Sequence, residues 1–153
     1  MDTTDSNIVF DSNGVCDHCN TFFKKTLPSW NLGLHSEKAL KKIVDKIKED
    51  GVKKDFDCII GMSGGIDSSY LAYVAKEKLG LRPLIFHVDA GWNTDKAVGN
   101  IEKICNGLGL DLYTDVINWE EMKDLQVAFL KSQIADQDLP QDYAFFSGLY
   151  KFA

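Results

Sequence analysis

Asp57-Cys58-Ile59-Ile60-Gly61-Met62-Ser63-Gly64-Gly65-Ile66-Asp67-Ser68-Ser69 changes character halfway along, and the change decides the fold. Phe56 to Met62 is a short, nearly continuous apolar run, as expected of a strand covered on both faces of a parallel sheet. From about Ser68 to Leu79 the pattern is helical, with Gly80 as its stop. In open parallel sheets ligands bind beyond the carboxyl ends of the strands, which makes Met62 to Ser69 the candidate site. Gly64 and Gly65 let the backbone turn tightly and approach a ligand without Cβ obstruction. Their N–H groups, those opening the helix around Ile66, and the hydroxyls of Ser63, Ser68 and Ser69 form a donor set suited to phosphate. No Lys-Ser/Thr pair follows the glycines, so the loop departs from the Walker A pattern, and transfer of a terminal phosphoryl group is not the expected chemistry. Asp67 sits at the same positive helix end that attracts phosphate. A bridging Mg²⁺ reconciles the two anions, and Asp67 is accordingly the expected catalytic residue.

Working outward, strands and helices alternate. Ser36 opens a helix with Leu40, Ile43, Val44 and Ile47 on one face, closed by Gly51. Leu84 to Val88 is a second strand, ending at Asp89-Ala90-Gly91. Thr94 caps a helix that buries Val98, Ile101, Ile104 and Leu108. Leu112 to Ile117 is a third strand, and Asn118 with Glu121 has the form of a capping box for a helix carrying Met122, Leu125, Phe129 and Leu130. Pro140 starts a last helix with Ala144, Phe145, Leu149 and Phe152 on its apolar face. The expectation is an α/β fold, a doubly wound parallel sheet with helices on both faces, over residues 36–153. Three strands make a narrow sheet and the last helix lacks a cap, so this domain is expected to be incomplete. Residues 1–35 are turn-rich and are expected to form an irregular lobe carrying Cys16-Asp17-His18-Cys19.

Composition narrows the function classes. Hydrophobic content of 44% and charged content of 26% are those of ordinary globular domains. No apolar run is long enough to span a bilayer, and the acidic start is unlike a secretory signal, so a cytoplasmic protein is expected. A net charge of −6 argues against a broad nucleic-acid contact. Arg82 is the only arginine, so an anion site must rely on backbone N–H groups and lysines. Among the four cysteines, only Cys16 and Cys19 are spaced for joint chemistry, while Cys58 and Cys105 read as small buried hydrophobes.

The loop resembles the signature Ser-Gly-Gly-x-Asp-Ser of the PP-loop ATP pyrophosphatases, the adenine nucleotide alpha-hydrolase-like fold. Phe10 to Cys19, His87-Val88-Asp89-Ala90-Gly91-Trp92-Asn93, Asn118 to Met122 and Pro140-Gln141-Asp142 further resemble the N-acetyl sugar amidotransferase family, over the N-terminal part of its length. The resemblance implies ATP and Mg²⁺, with the loop holding the departing pyrophosphate. It implies adenylation of the acetamido oxygen of an N-acetyl sugar and attack by ammonia, for surface polysaccharide synthesis. The implied partners are a glutaminase subunit and a cyclase-like, ammonia-channelling subunit. His87, Val88 and Asp89 would contact the nucleotide where adenine and acceptor approach, although His87 taken alone reads as a buried, satisfied histidine. Trp119 reads as packing, and Glu120 and Glu121 as helix-start charges. Relatives carry a second CxxC upstream, and four thiolates would close a zinc site, of which Cys16 and Cys19 are half. Two other readings stay open: a PP-loop tRNA-thiolating enzyme, and an inert nucleotide-binding fragment.

Overall fold

The computed structural model describes residues 2–30, 33–133 and 135–153. Met1, Asn31 and Leu32, within the lobe expected over 1–35, lie outside that set. The chain divides into two compact units, Met1–Ile43 and Val44–Ala153.

The first unit is more helical than its turn-rich sequence suggests. Antiparallel pairing of Phe10 with Cys16 closes a small loop, in which the Asp11 carboxylate accepts the backbone N–H groups of Asn13 and Val15. Helix α1 (Asp17–Thr21) then runs through a π-turn at Phe22–Thr26 into α2 (Leu27–Ser29). The Asp11-Ser12-Asn13-Gly14 turn lies before Asp17. After it, Phe22 packs edge to face against Phe23 and Trp30.

Helix α3 (Leu34–Gly51) begins two residues before the expected Ser36, whose hydroxyl donates to the carbonyl of Gly33. Of its expected apolar face, Val44 is buried and Ile47 half-buried, whereas Leu40 and Ile43 are exposed.

In the second unit three strands pair in parallel in the order β1 (Cys58–Gly61), β2 (Pro83–Asp89), β3 (Leu112–Val116). The α/β class with a parallel sheet is therefore as read from the sequence. β1 is shorter than the apolar run at both ends, starting at Cys58 and ending at Gly61, and the Met62 N–H makes the last ladder bond, to the carbonyl of Phe86 at 2.9 Å. The register places Ile60 beside Ile85 and Gly61 beside Phe86, so neighbouring residues serve opposite faces.

One face meets α3, α4 (Ile66–Tyr73) and α5 (Asp95–Leu108) through Val44, Ile60, Ala72, Ile85, Ile101 and Cys105. The other face carries Phe86 and Tyr113, on which Phe152 of α7 (Leu139–Phe152) stacks, with ring centroids 4.4–5.0 Å apart. The approach of α7 is close because Gly148 has no side chain. A Cβ there would lie 3.2 Å from the Asp115 carboxylate and 3.3 Å from Val88.

Local signals are mostly obeyed. Thr94 caps α5, its hydroxyl accepting the N–H of Ala97, and Gly109 ends it in the left-handed region. α4 ends in a π-turn, Val74–Lys78, before Gly80 reverses the chain at φ +62°. The expected capping box at α6 (Trp119–Lys131) is not formed. Asn118 accepts from the N–H of Glu120, one position early, and the Glu121 carboxylate bonds the Asn118 side-chain amide rather than a backbone N–H. Val98, Leu125 and Leu130, expected in the core, are exposed, because each lies toward the edge of its helix's covered stripe.

Arg82 is committed to this architecture. Its guanidinium bonds the carbonyls of Gly51, Lys54 and Asp55 and a carboxylate oxygen of Asp57 at 2.6 Å, joining the end of α3 to the approaches of β1 and β2. The second Asp57 oxygen accepts the Arg82 backbone N–H at 2.9 Å, and the Asp57 side chain is only 4% exposed. The hydrogen bond from the Arg82 guanidinium holds the Asp57 carboxyl below the usual carboxylate range. A carboxyl depressed in the folded state contributes stability above its unfolded pKa of about 3.9 and loses it as pH falls through the lower folded value. Asp57→Asn should destabilise the chain by about 2–4 kcal/mol at neutral pH and flatten its acid limb. Urea unfolding at several pH values checks both effects.

Candidate functional site

Beyond β1 the backbone leaves the sheet at Met62, which is buried, and turns through Ser63, Gly64 and Gly65 into α4. The helix starts at Ile66, two residues before the sequence suggested, and its N-cap is Gly65, with no side chain bonded to the first-turn N–H groups. Neither Asp67 nor a serine serves as the cap. The first-turn donors thus have no side-chain partner, and Gly65, Ile66 and Asp67 around them are exposed residues. Ile66 at the first helical position is 84% exposed.

The two glycines do different work. Gly64 has φ +77°, and a Cβ on it would run into the carbonyl of Ala97 in α5. Its own carbonyl accepts the Asn100 side-chain amide at 3.1 Å. Gly64 therefore serves the joint between loop and helix, where the sequence reading had it clearing space for an anion. Gly65 has an ordinary extended backbone, φ −78° and ψ 169°, and a Cβ on it would meet only the Ser63 hydroxyl, at 3.3 Å. It is the glycine whose open side faces away from the protein.

The hydroxyls are partly engaged. Ser69 donates to the carbonyl of Gly65 at 2.7 Å, so in this structure its hydrogen is spent inside the helix. Ser68 sits 3.3 Å from the Ser63 hydroxyl and 3.3 Å from the Ser63 N–H, closing the turn. Ser63 and Ser68 also line a cavity of about 410 Å³, together with Gly61, Met62, Phe86, His87, Val88, Asn93 and four residues of α7, namely Asp142, Phe145, Phe146 and Leu149.

His87 is buried in β2 and both its ring nitrogens are bonded, Nδ1 to the Met62 carbonyl at 2.8 Å and Nε2 to the Asn93 amide at 3.0 Å. A carbonyl only accepts, so Nδ1 carries the proton and Nε2 receives one from Asn93. Val88 is buried under Gly148. The Asp89 carboxylate accepts the Gly91 N–H at 2.9 Å, shaping the turn after β2. A Cβ on Gly91 would strike the Trp119 ring, which packs edge to face with Trp92 at 5.3 Å.

Met62, Ser63 and Ser68 are thus brought together with His87 and Val88 around one cavity, whereas Gly64, Gly65, Ile66, Asp67, Ser69 and Asp89 are not among its lining residues. Asn93 and the α7 residues join the cavity and Asn100 holds the Gly64 carbonyl, although the sequence reading gave them no role there. The adjacent Phe145-Phe146 and the glycine at 148, on a helix otherwise rich in bulky residues, were the available signals for α7.

In the first unit Cys16 is buried and Cys19 exposed, and the Cys19 N–H points at the Cys16 sulfur, 3.4 Å away. Hydrogen bonding from that N–H draws the Cys16 thiol below its ordinary value, while sharing a hydrogen bond with Cys16 pushes Cys19 up. Among the described residues no group of three or more His, Cys, Asp or Glu side chains is arranged to hold a metal, so zinc has no complete ligand set here.

A sequence profile of the NAD synthase family matches residues 36–137. The chain belongs to the NAD synthase family. The matched residues contain the loop, β1 to β3 and α6. An uncharacterized protein of Methanocaldococcus jannaschii is 29% identical over 115 residues, 71% of this chain and 39% of that protein. The NMN synthetase of Francisella tularensis has a similar fold, with a TM-score of 0.50 and 22% identity, covering 76% of this chain and 49% of that one. The NH3-dependent NAD synthetase of Campylobacter jejuni gives 0.47 and 21%, covering 76% of this chain and 51% of its own. The chain thus spans between two fifths and about half of the length of these relatives.

The two glycines give a direct test. Gly64→Ala should cost about 1–3 kcal/mol, from its positive φ and its collision with Ala97, whereas Gly65→Ala should change stability by less than about 0.5 kcal/mol. Thermal unfolding of the two variants measures the difference.

Proposed function

We propose that this NAD synthase-family chain is the ATP-binding part of an amidotransferase synthase, which activates an oxygen by adenylation and hands the product to ammonia. The observation that carries the reading is the start of α4 at Gly65, where no side chain caps the first-turn N–H groups and Gly65 and Asp67 are exposed. Backbone N–H groups would take the β and γ phosphates as they leave together. Asp67, with oxygen ligands from the phosphates, fits the hard, oxygen-loving coordination of Mg²⁺, which when bound neutralises charge on the departing pyrophosphate. The acceptor oxygen attacks the α-phosphorus, pyrophosphate departs, ammonia adds to the activated carbon, and AMP leaves.

For the acceptor we favour the acetamido group of an N-acetyl sugar, converted to an acetamidino group in surface polysaccharide synthesis. The motifs around Cys16, His87 and Pro140 support this, as does a cavity with no lysine or arginine in its lining, which suits an uncharged amide. A glutaminase and a cyclase-like, ammonia-channelling subunit would supply the ammonia. The family match favours a second reading, amidation of a carboxylate on a dinucleotide. Supplying each acceptor in turn with ATP and ammonia separates the two by which one releases AMP. ADP as the sole nucleotide product would overturn both.

Loop function is tested by calorimetry on the chain itself. Pyrophosphate should bind in a Mg²⁺-dependent way, and Asp67→Ala and Gly65→Val should each weaken it about tenfold or more. Valine suits the extended backbone at 65, so Gly65→Val should remain folded. Unchanged affinity in both variants would refute the assignment.

A further inference from the structure

Trp92 stands on the turn after β2 and Trp119 opens α6 just after β3, both beyond the carboxyl ends of their strands, and neither has a part in the chemistry proposed above. Trp119, 38% exposed, lies over the backbone of Gly91 so closely that a Cβ there would strike its ring. Trp92 is 55% exposed and meets Trp119 edge to face, with 5.3 Å between ring centroids and 74° between planes. An indole so exposed has little burial to fix it, yet the turn that carries it is held in three ways. The Asp89 carboxylate accepts the Gly91 N–H at 2.9 Å, Gly91 adopts φ +86°, and Trp119 covers it. A rigid turn presenting a largely bare aromatic ring is a pre-organised stacking surface.

The charges around the pair restrict what can stack there. Within three residues of either indole the charged side chains are Asp89, Asp95, Glu120 and Glu121, all carboxylates. Such surroundings repel phosphate and accept hydrogen bonds from hydroxyls. The face of an indole is the negative part of its quadrupole, and it attracts the weakly positive C–H groups on the apolar side of a pyranose ring. An uncharged, hydroxyl-rich ring satisfies both features. Asn93, the next residue along the chain, lines the 410 Å³ cavity, so a substituent of a ring resting on Trp92 has a short way to reach it.

We propose that Trp92 is the platform for the pyranose ring of the acceptor, with Trp119 as the positioning residue that braces it. The inference rests on the reading of the acceptor as an N-acetyl sugar and adds where its ring sits, on Trp92, with the acetamido group directed past Asn93 into the cavity.

Magnetic resonance on the isotopically labelled 153-residue chain tests it, because each of the three tryptophans gives its own indole N–H signal. The probes are N-acetylglucosamine, N-acetylgalactosamine and N-acetylmannosamine, with adenosine and Mg²⁺-pyrophosphate for comparison. At least one sugar should move the signals of Trp92 and Trp119 and leave that of Trp30 in place, with a dissociation constant of about a millimolar. Trp92→Ala, followed on the Trp119 signal, should weaken that binding about tenfold or more, and Trp92→Phe, which keeps an aromatic face, should retain part of it. Trp119→Ala, followed on the Trp92 signal, should weaken the sugar and leave pyrophosphate unchanged, whereas a merely structural role for Trp119 would weaken both. If none of the three sugars moves the Trp92 signal while pyrophosphate still binds, this inference is overturned and the loop assignment stands. Sugar binding that survives Trp92→Ala also overturns it, as does adenosine moving the Trp92 signal where the sugars do not. A wild type that binds neither sugar nor pyrophosphate overturns the loop assignment as well. Release of AMP from ATP in the presence of an acetamido sugar is read separately, so the choice of acceptor and its placement on Trp92 can fail independently.

Discussion

At Gly64 the backbone of the loop and the backbone of α5 come so near that no side chain fits between them, and the rest of the site is placed by that approach. The carbonyl of Gly64, turned outward by its positive φ, is caught by Asn100, and the start of α5 is itself fixed by the Thr94 cap. The turn after β1 is thus held by the helix that follows β2. Two successive strand–helix units share one joint, and neither can shift without displacing the other. A bond such as Asn100 to Gly64 contributes about 1 kcal/mol, but the steric contact restricts the loop more than the bond does.

The sheet turns this joint into a chamber. Ile60 and Ile85 fill one face and pack against α3, α4 and α5, while Gly61 and Phe86, one residue on, serve the other. Gly148 lets α7 settle onto that second face, and its aromatic residues reach the carboxyl end of β1 and β2, where Met62 turns away. The cavity lies where β1 and β2 end under α7, and there the His87 ring bonds the Met62 carbonyl at 2.8 Å, tying the start of the loop to the neighbouring strand.

Much of this was legible in the sequence, for identifiable reasons. Continuous apolar runs mark buried parallel strands, and the alternation of 56–62, 84–88 and 112–117 with helical patterns left few other topologies. Thr94 and Gly109 bound α5 by chemistry that acts within a few residues. What could not be read depended on partners distant in sequence. The burial of Val98, Leu125 and Leu130 is decided by which neighbours cover a helix, and periodicity shows only that a stripe exists. The separate duties of Gly64 and Gly65 depend on Ala97, and the amide orientation of Asn93 on a carbonyl twenty-five residues before His87. In the first unit the turn at Asp11 to Gly14 was legible, whereas the helix that begins at Asp17 was not, because the short stretch around Pro28 carries no apolar periodicity to mark it.

The commitment of Arg82 to the fold also governs how an anionic ligand arrives. With the only guanidinium tied to Asp57 and three carbonyls, and with a net charge of −6, the net field of these 153 residues does not favour a polyanion. Dipoles of N–H groups act over a few ångströms, so a nucleotide triphosphate, were it the ligand as proposed, would meet that net field before any donor of the loop engaged it. Encounter is then slowed at low ionic strength and eased by salt, the reverse of the steering that a cationic cleft provides. Pairing such a nucleotide with a divalent cation in solution lowers the charge that the field acts on, so on the proposed reading the metal-bound form would be the one favoured at encounter.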